Sequence, residues 1–304
     1  MQQSIEFTAT RLFRFEAIGT HWEIETPEPL PLAVQQQVAD RIEQFDQTYS
    51  RFRPDSLVGQ LAQAPQGGRY EFPADARPLF DLYDQLHYLT YGAVDPLVGR
   101  QLEQLGYDRH YSFKPLFNKQ LPNHHNPNAP RWATDVVRHG TTLITRRPLI
   151  IDIGAAGKGY LVDIVCALLR EAGMPEFIVD AGGDIRHQGP LGVRIGLEHP
   201  LNPERVIGVV PLRDEAICAS ATNRRAWGQG LHHILDARSG VPVKEVLATW
   251  VVAPDALTAD GLATALFFTS ADSLQHAFHF SSVRLFADRT AELSKNFAGE
   301  LFFA

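Results

Sequence analysis

The chain has 304 residues, 44% of them hydrophobic and 21% charged, with a formal net charge of −7. That length buries a large core, as one big domain or two interleaved lobes, and the acidic balance without a long Lys/Arg run argues against a nucleic-acid or anionic-membrane binder. Cys166 and Cys218 lie in apolar surroundings without a CxxC partner and read as buried thiols. No stretch approaches the roughly 18 apolar residues of a membrane span. Met1 to Thr10 carries no basic n-region, apolar h-region or lipobox cysteine. A cytoplasmic location is therefore expected for a chain that starts here, and a periplasmic one for a trimmed chain.

In chain order, Phe13 to Thr26 alternates around a Gly19-Thr20 break and predicts two strands joined by a turn. Pro29 to Tyr49 predicts a helix with Val34, Val38, Ile42, Phe45 and Tyr49 on one face. Ala74 to Tyr91 predicts a second, stopped by Gly92. Residues 112 to 132, rich in Pro and Asn, read as a loop excursion from a single domain spanning 1–304. Strands are expected at Thr141 to Thr145 and Leu149 to Ile153, then a helix from Lys158 to Glu171 that ends at Gly173. Further strands follow near Glu176 to Asp180, Gly192 to Leu197, Val206 to Pro211, Glu215 to Ala219 and Leu247 to Ala253. The last leads into a helix carrying Asp260 and Thr264, and the C-terminal stretch reads as hairpin and edge material. Strands in runs, with helices between the groups, predict an α+β fold.

Two segments carry the strongest chemical signal. In Asp152-Ile153-Gly154-Ala155-Ala156-Gly157-Lys158-Gly159-Tyr160, an apolar run meets a glycine-rich turn and a helix N-terminus, where backbone N–H groups can approach an anion. In Ala259-Asp260-Gly261-Leu262-Ala263-Thr264-Ala265, a carboxylate and a hydroxyl stand at i and i+4 on one helix face, hard oxygen ligands that suit Mg²⁺ or Ca²⁺. Together they point to nucleotide or phosphoryl chemistry. Taken singly, the remaining motifs also have structural readings. Asp95 can cap a turn, Asp180 to Asp184 can be a loop, Arg51 and Arg53 can be a solvated face, and His233 can be a satisfied structural histidine.

The blocks in order resemble the ApbE-like FAD:protein FMN transferases. They are Ile18-Gly19-Thr20, Ser50 to Ser56, Gly92 to Pro96, Asp152 to Asp163, Asp180 to Arg186, His233 to Gly240 and Ala259 to Ala265. The resemblance covers roughly residues 11 to 270. It implies mostly antiparallel sheets with packed helices, in two interleaved lobes around a flavin-nucleotide cleft. It also implies Mg²⁺-dependent transfer of FMN from FAD, the substrate, to a Ser or Thr hydroxyl of an acceptor flavoprotein subunit, with release of AMP. By the same resemblance, Asp260, Thr264 and the Ala155 carbonyl hold the metal. Lys158 and Asp152 contact the dinucleotide, and Ile18, Phe52, Ala93, Val94, Asp95 and Ile234 line its pocket. His233 helps deprotonate the acceptor hydroxyl or orients phosphate, with Asp260 its catalytic companion.

Departures from the family pattern fall at Ile18 for Met, Phe52 for Tyr, Val94 for Phe, the turn Ala155-Ala156-Gly157, and Ala219 to Arg225. The last segment, which lies near the flavin by analogy, is expected to alter substrate grip or acceptor choice. Two rival readings use the same residues: an FAD pyrophosphatase that releases FMN and AMP, and a non-catalytic FAD-binding protein.

Overall fold

Along the strand Val246–Ala253, neighbouring side chains go to different cores. Trp250 and Val252 enter one hydrophobic cluster, Val251 and Ala253 another. Period-two alternation with apolar residues at both parities requires cover on both faces. The computed structural model, which describes residues 11–116, 129–228 and 230–302, supplies it. Eight strands form one antiparallel sheet whose spatial order is also chain order: Leu12–Ala17, Thr20–Glu25, Phe177–Asp180, Ile185–Gln188, Ala216–Ala221, Val246–Ala253, Ser281–Phe286 and Ala291–Leu293.

The helices Leu32–Tyr49, Arg77–Leu89, Gly157–Glu171 and Ala256–Ala265 share one large core with Val179, Cys218 and Val251. On the opposite face, the hairpin Val193–His199 and Asn202–Leu212, edged by Glu300–Leu301, closes a second core over Ile217, Trp250 and Val283. The expected α+β class, antiparallel sheets with packed helices, holds. No helix among the described residues is long and apolar enough to cross a membrane.

Local chemistry explains the element ends. Ile18 and Gly19 both have positive φ, 44° and 76°, and join strands whose last register pair is Ala17 with Thr20. Two left-handed residues in a two-residue loop match the right-handed twist of the flanking strands. Asp255 caps the Ala256–Ala265 helix by accepting the Thr258 N–H at 2.7 Å, and Ser56 likewise caps Leu57–Gln63 through Gly59.

The structure also corrects several expectations. Leu149 to Ile153 is not a strand. Leu149, Ile151 and Ile153 are buried, yet this extended run joins no ladder, and the Asp152 N–H donates instead to the Pro96 carbonyl at 2.7 Å. Alternating apolar side chains satisfy a buried extended segment whether or not a sheet edge is available. The first helix begins at Leu32, with Pro31 before it, and the second splits into a 3₁₀ turn, Ala74–Ala76, and the helix Arg77–Leu89. The helix Leu57–Gln63 and the strands Gly68–Glu71, Val136–His139 and Ile185–Gln188 were not expected. Within the 112–132 excursion, residues 117–128 lie outside the described residues, as does Met1 to Thr10. At its far end Trp132 is buried, and its indole N–H donates to Asp84 at 2.6 Å.

Candidate active site

The helices Gly157–Glu171 and Ala256–Ala265 touch backbone to backbone because of Gly159. A Cβ at that position would lie 2.0 Å from the Ala256 carbonyl oxygen and 2.7 Å from Asp260 Cβ. This approach sets Lys158 beside Asp260. Asp260 Oδ2 accepts the Gly159 N–H at 2.9 Å, and its Oδ1 lies 4.0 Å from the Lys158 ammonium. Lys158 also pairs with Asp184, which is fully buried and whose Oδ1 has no hydrogen-bond partner.

One ammonium between two buried carboxylates sets the electrostatics. Burial pushes the Asp260 carboxyl well above the usual range and the Asp184 charge adds to it, while Lys158 and the helix N–H groups oppose the rise. Burial alone would depress Lys158, but the Asp184 and Asp260 charges outweigh it and hold the ammonium above its ordinary value. The cluster is thus short of positive charge.

The glycine turn lies alongside. Asp152 Oδ1 accepts the Gly154 N–H at 2.7 Å, and Oδ2 receives Nε of Arg51. Burial works to raise the Asp152 carboxyl, but Arg51 and the Gly154 N–H overcome it and hold the group below its usual value. The Thr264 hydroxyl reaches the Ala155 carbonyl at 3.2 Å, so two of the three expected metal-ligand oxygens are neighbours.

His233 has a ring whose Nδ1 is shut from solvent without a hydrogen-bond partner. Burial, then the charges of Arg225, His232 and Lys158, push its pKa down to about 3, so the ring is neutral at ordinary pH.

The remaining expected residues divide by role. Phe52 is partly buried, stacked on Tyr111 at 5.1 Å between centroids, with the Arg51 guanidinium 4.2 Å from its ring centre. Ile18 sits in the strained hairpin turn and packs partly on the main core. Ala93 contributes backbone, its carbonyl accepting the Ala237 N–H at 3.0 Å and tying the two motifs together. Val94 and Ile234 are buried in hydrophobic clusters, so their side chains are framework. Asp95 is engaged as well. It accepts N–H groups from Leu97 at 2.8 Å and Trp132 at 3.0 Å, with His87 3.3 Å away. The capping reading describes its carboxylate better than an open pocket lining does.

Four residues escaped the residue-level reading. Asp184 falls in a segment that reads as a loop, although the sequence Asp180-Ala-Gly-Gly-Asp announces a tight turn between acids. Arg51 is no solvated face: its side chain is 3% exposed, and both Nη atoms lack hydrogen-bond partners. Tyr107 and Arg225 meet through a 2.7 Å hydrogen bond, and nothing local in the sequence pairs them.

A model of the ApbE family matches residues 18–282. The chain belongs to the ApbE family. The FAD:protein FMN transferase of Rhodobacter capsulatus is 27% identical to this ApbE-family chain over 263 residues, covering 83% of the chain but only half of that relative's length. The Vibrio cholerae protein of the same name is 28% identical over 247 residues, covering 77% of this chain and 72% of that one. Among solved structures, the ApbE protein of Thermotoga maritima MSB8 superposes with a TM-score of 0.80 at 23% identity, covering 98% of this chain and 100% of that one. The flavin transferase ApbE from Vibrio cholerae gives 0.78 at 22% identity, over 97% and 99%. These likenesses bear out the ApbE fold for the whole described chain.

Proposed function

We propose that this chain is an FAD:protein FMN transferase, moving FMN from FAD to a Ser or Thr hydroxyl of an acceptor protein and releasing AMP. The observation that carries the reading is the convergence of the Lys158–Asp184–Asp260 cluster with the Thr264 and Ala155 oxygens beside the glycine turn. A divalent cation fits there. The donors are one carboxylate, one hydroxyl and one carbonyl, all hard oxygens, and the buried carboxylates are short of positive charge. Mg²⁺ suits so small a set of protein oxygens, because it keeps water and phosphate oxygens as ligands. Asp260, Thr264 and the Ala155 carbonyl would hold it, and bound Mg²⁺ supplies charge neutralisation on the pyrophosphate.

The chain's own residues do the rest. Lys158 places a fixed positive charge near the departing phosphate, and Asp184 holds that ammonium in place. The acceptor oxygen bonds to the flavin-side phosphorus, the P–O bond to AMP breaks, and the hydroxyl proton leaves to a base. His233, whose neutral ring keeps an unpartnered nitrogen at Nδ1, is the residue for that role or for orienting the phosphate. A pKa near 3 makes its ring a weak base in the free protein, but the negative charge of a bound dinucleotide opposes Arg225 and Lys158 and raises its proton affinity.

Mass spectrometry of an acceptor domain incubated with the protein, FAD and Mg²⁺ tests the reading, with AMP and FMN followed in the same tube. An acceptor that gains one FMN, with the gain abolished by Asp260→Ala, supports it. Free FMN beside an unmodified acceptor indicates a pyrophosphatase. Bound FAD without turnover indicates a binding protein.

A further inference from the structure

Arg224 and Arg225 are adjacent in sequence and opposite in situation. Arg224 is half exposed and forms an ordinary surface ion pair with Glu198 at 2.9 Å. Arg225 turns inward and, among the described residues, has no carboxylate partner. Its Nη1 donates to the Tyr107 hydroxyl at 2.7 Å, and its guanidinium carbon lies 5.8 Å from the centre of that ring. The Arg51 guanidinium lies 4.9 Å from the same ring, its Nε engaged by Asp152 and its Nη1 3.9 Å from Glu103, but neither Nη atom is hydrogen bonded. Two guanidinium groups thus approach one phenol, with more donors than local acceptors.

Three separate blocks converge on Arg225. A Cβ on Gly19 would lie 3.9 Å from its Nη2, its charge acts on Asp152 of the glycine turn, and it acts on the ring of His233. A guanidinium held among these segments without a carboxylate matches the forked geometry of phosphate oxygens. We propose that Arg225 binds a phosphate of the flavin dinucleotide, and that Tyr107 is the residue that positions it. The assignment rests on the transferase reading and deepens it. It also gives the departing segment Ala219 to Arg225 a function, a grip on the substrate's charge.

Binding of FAD and of riboflavin, which has no phosphate, tests the assignment by fluorescence titration of the full chain. Arg225→Gln weakens FAD by about tenfold to a hundredfold, the value of a charge-assisted hydrogen bond, and leaves riboflavin unchanged. Retained riboflavin binding also shows that the variant folds. Arg225→Lys keeps the charge without the fork and falls between. Tyr107→Phe raises KM for FAD without altering KM for the acceptor, and Arg224→Gln changes neither. Equal losses for FAD and riboflavin in Arg225→Gln, or no loss in either, overturn the assignment while leaving the transferase reading intact. A wild-type protein that binds neither ligand overturns both.

Discussion

Asp163 Oδ2 accepts the backbone N–H of Leu257 at 2.8 Å while its Oδ1 accepts that of Ala256 at 3.1 Å. A carboxylate on one helix therefore satisfies the first N–H groups of the helix that carries Asp260 and Thr264. Arg186 completes the arrangement, 3.1 Å from Asp163 Oδ1. Asp163→Ala strands two N–H donors and leaves the Arg186 guanidinium only the Pro254 carbonyl, 2.7 Å away. The expected loss is about 1–3 kcal/mol of stability, read from urea unfolding, and wild-type stability in the variant would refute the capping role.

Gly159→Ala is expected to be worse than the usual glycine-to-alanine change in a helix, which ordinarily stabilises. Its Cβ would meet the Ala256 carbonyl at 2.0 Å, backbone that cannot turn aside. Forcing the helices apart costs roughly 1–3 kcal/mol and separates Lys158 from Asp260. A lower thermal midpoint together with lost flavin transfer is the expected pair of results; a midpoint above wild type would contradict it.

Thr264→Val removes the proposed ligand oxygen and a 3.2 Å hydrogen bond to Ala155 while keeping a similar shape. The Mg²⁺ concentration for half-maximal transfer should rise at least about tenfold, whereas the thermal midpoint without metal should move little. An unchanged Mg²⁺ requirement would remove Thr264 from the metal site.

His233 links folding to pH. Its ring titrates near 3 in the folded chain, against 6.5 as its ordinary value. Between these values the unfolded chain takes up a proton that the folded chain refuses. This contribution is fully present above pH 6.5 and is lost progressively as the pH falls toward 3, with a slope of up to about 1.4 kcal/mol per pH unit. His233→Gln should flatten the dependence of unfolding free energy on pH in that window. An identical slope in both proteins would show that the ring is not held neutral.

Ile18 carries a β-branched side chain at φ 44°. Left-handed backbone costs such a residue about 1–2 kcal/mol, and Ile18→Asn creates the Asn-Gly turn that this hairpin geometry favours. The variant should unfold at a higher urea midpoint and, with Ile18 lining the dinucleotide pocket as the family resemblance implies, bind FAD more weakly. Higher stability with unchanged FAD affinity would detach Ile18 from the pocket.

Local geometry was legible in the residues. The turn at Gly19, the strand alternation, the Asp260–Thr264 helix face and the glycine turn before Lys158 depend on φ/ψ preferences and side-chain period within a few positions. The family's motif order then supplied the grouping into one site. Only the tertiary structure decided which charges meet. Arg51 reaches Asp152 across 101 positions, and Lys158 reaches Asp184 across 26. Leu149 to Ile153 has the alternation of a strand but joins no ladder, its Asp152 N–H going to the Pro96 carbonyl, and Asp95 is spent on the backbone of Leu97 and Trp132. The Lys158–Asp260 neighbourhood follows from how closely two helices approach, which Gly159 permits but only the Ala256 carbonyl across from it makes consequential. Local patterns specify elements because neighbours along the chain share one backbone. Contacts between distant residues depend on shape and burial that exist only once the elements have packed.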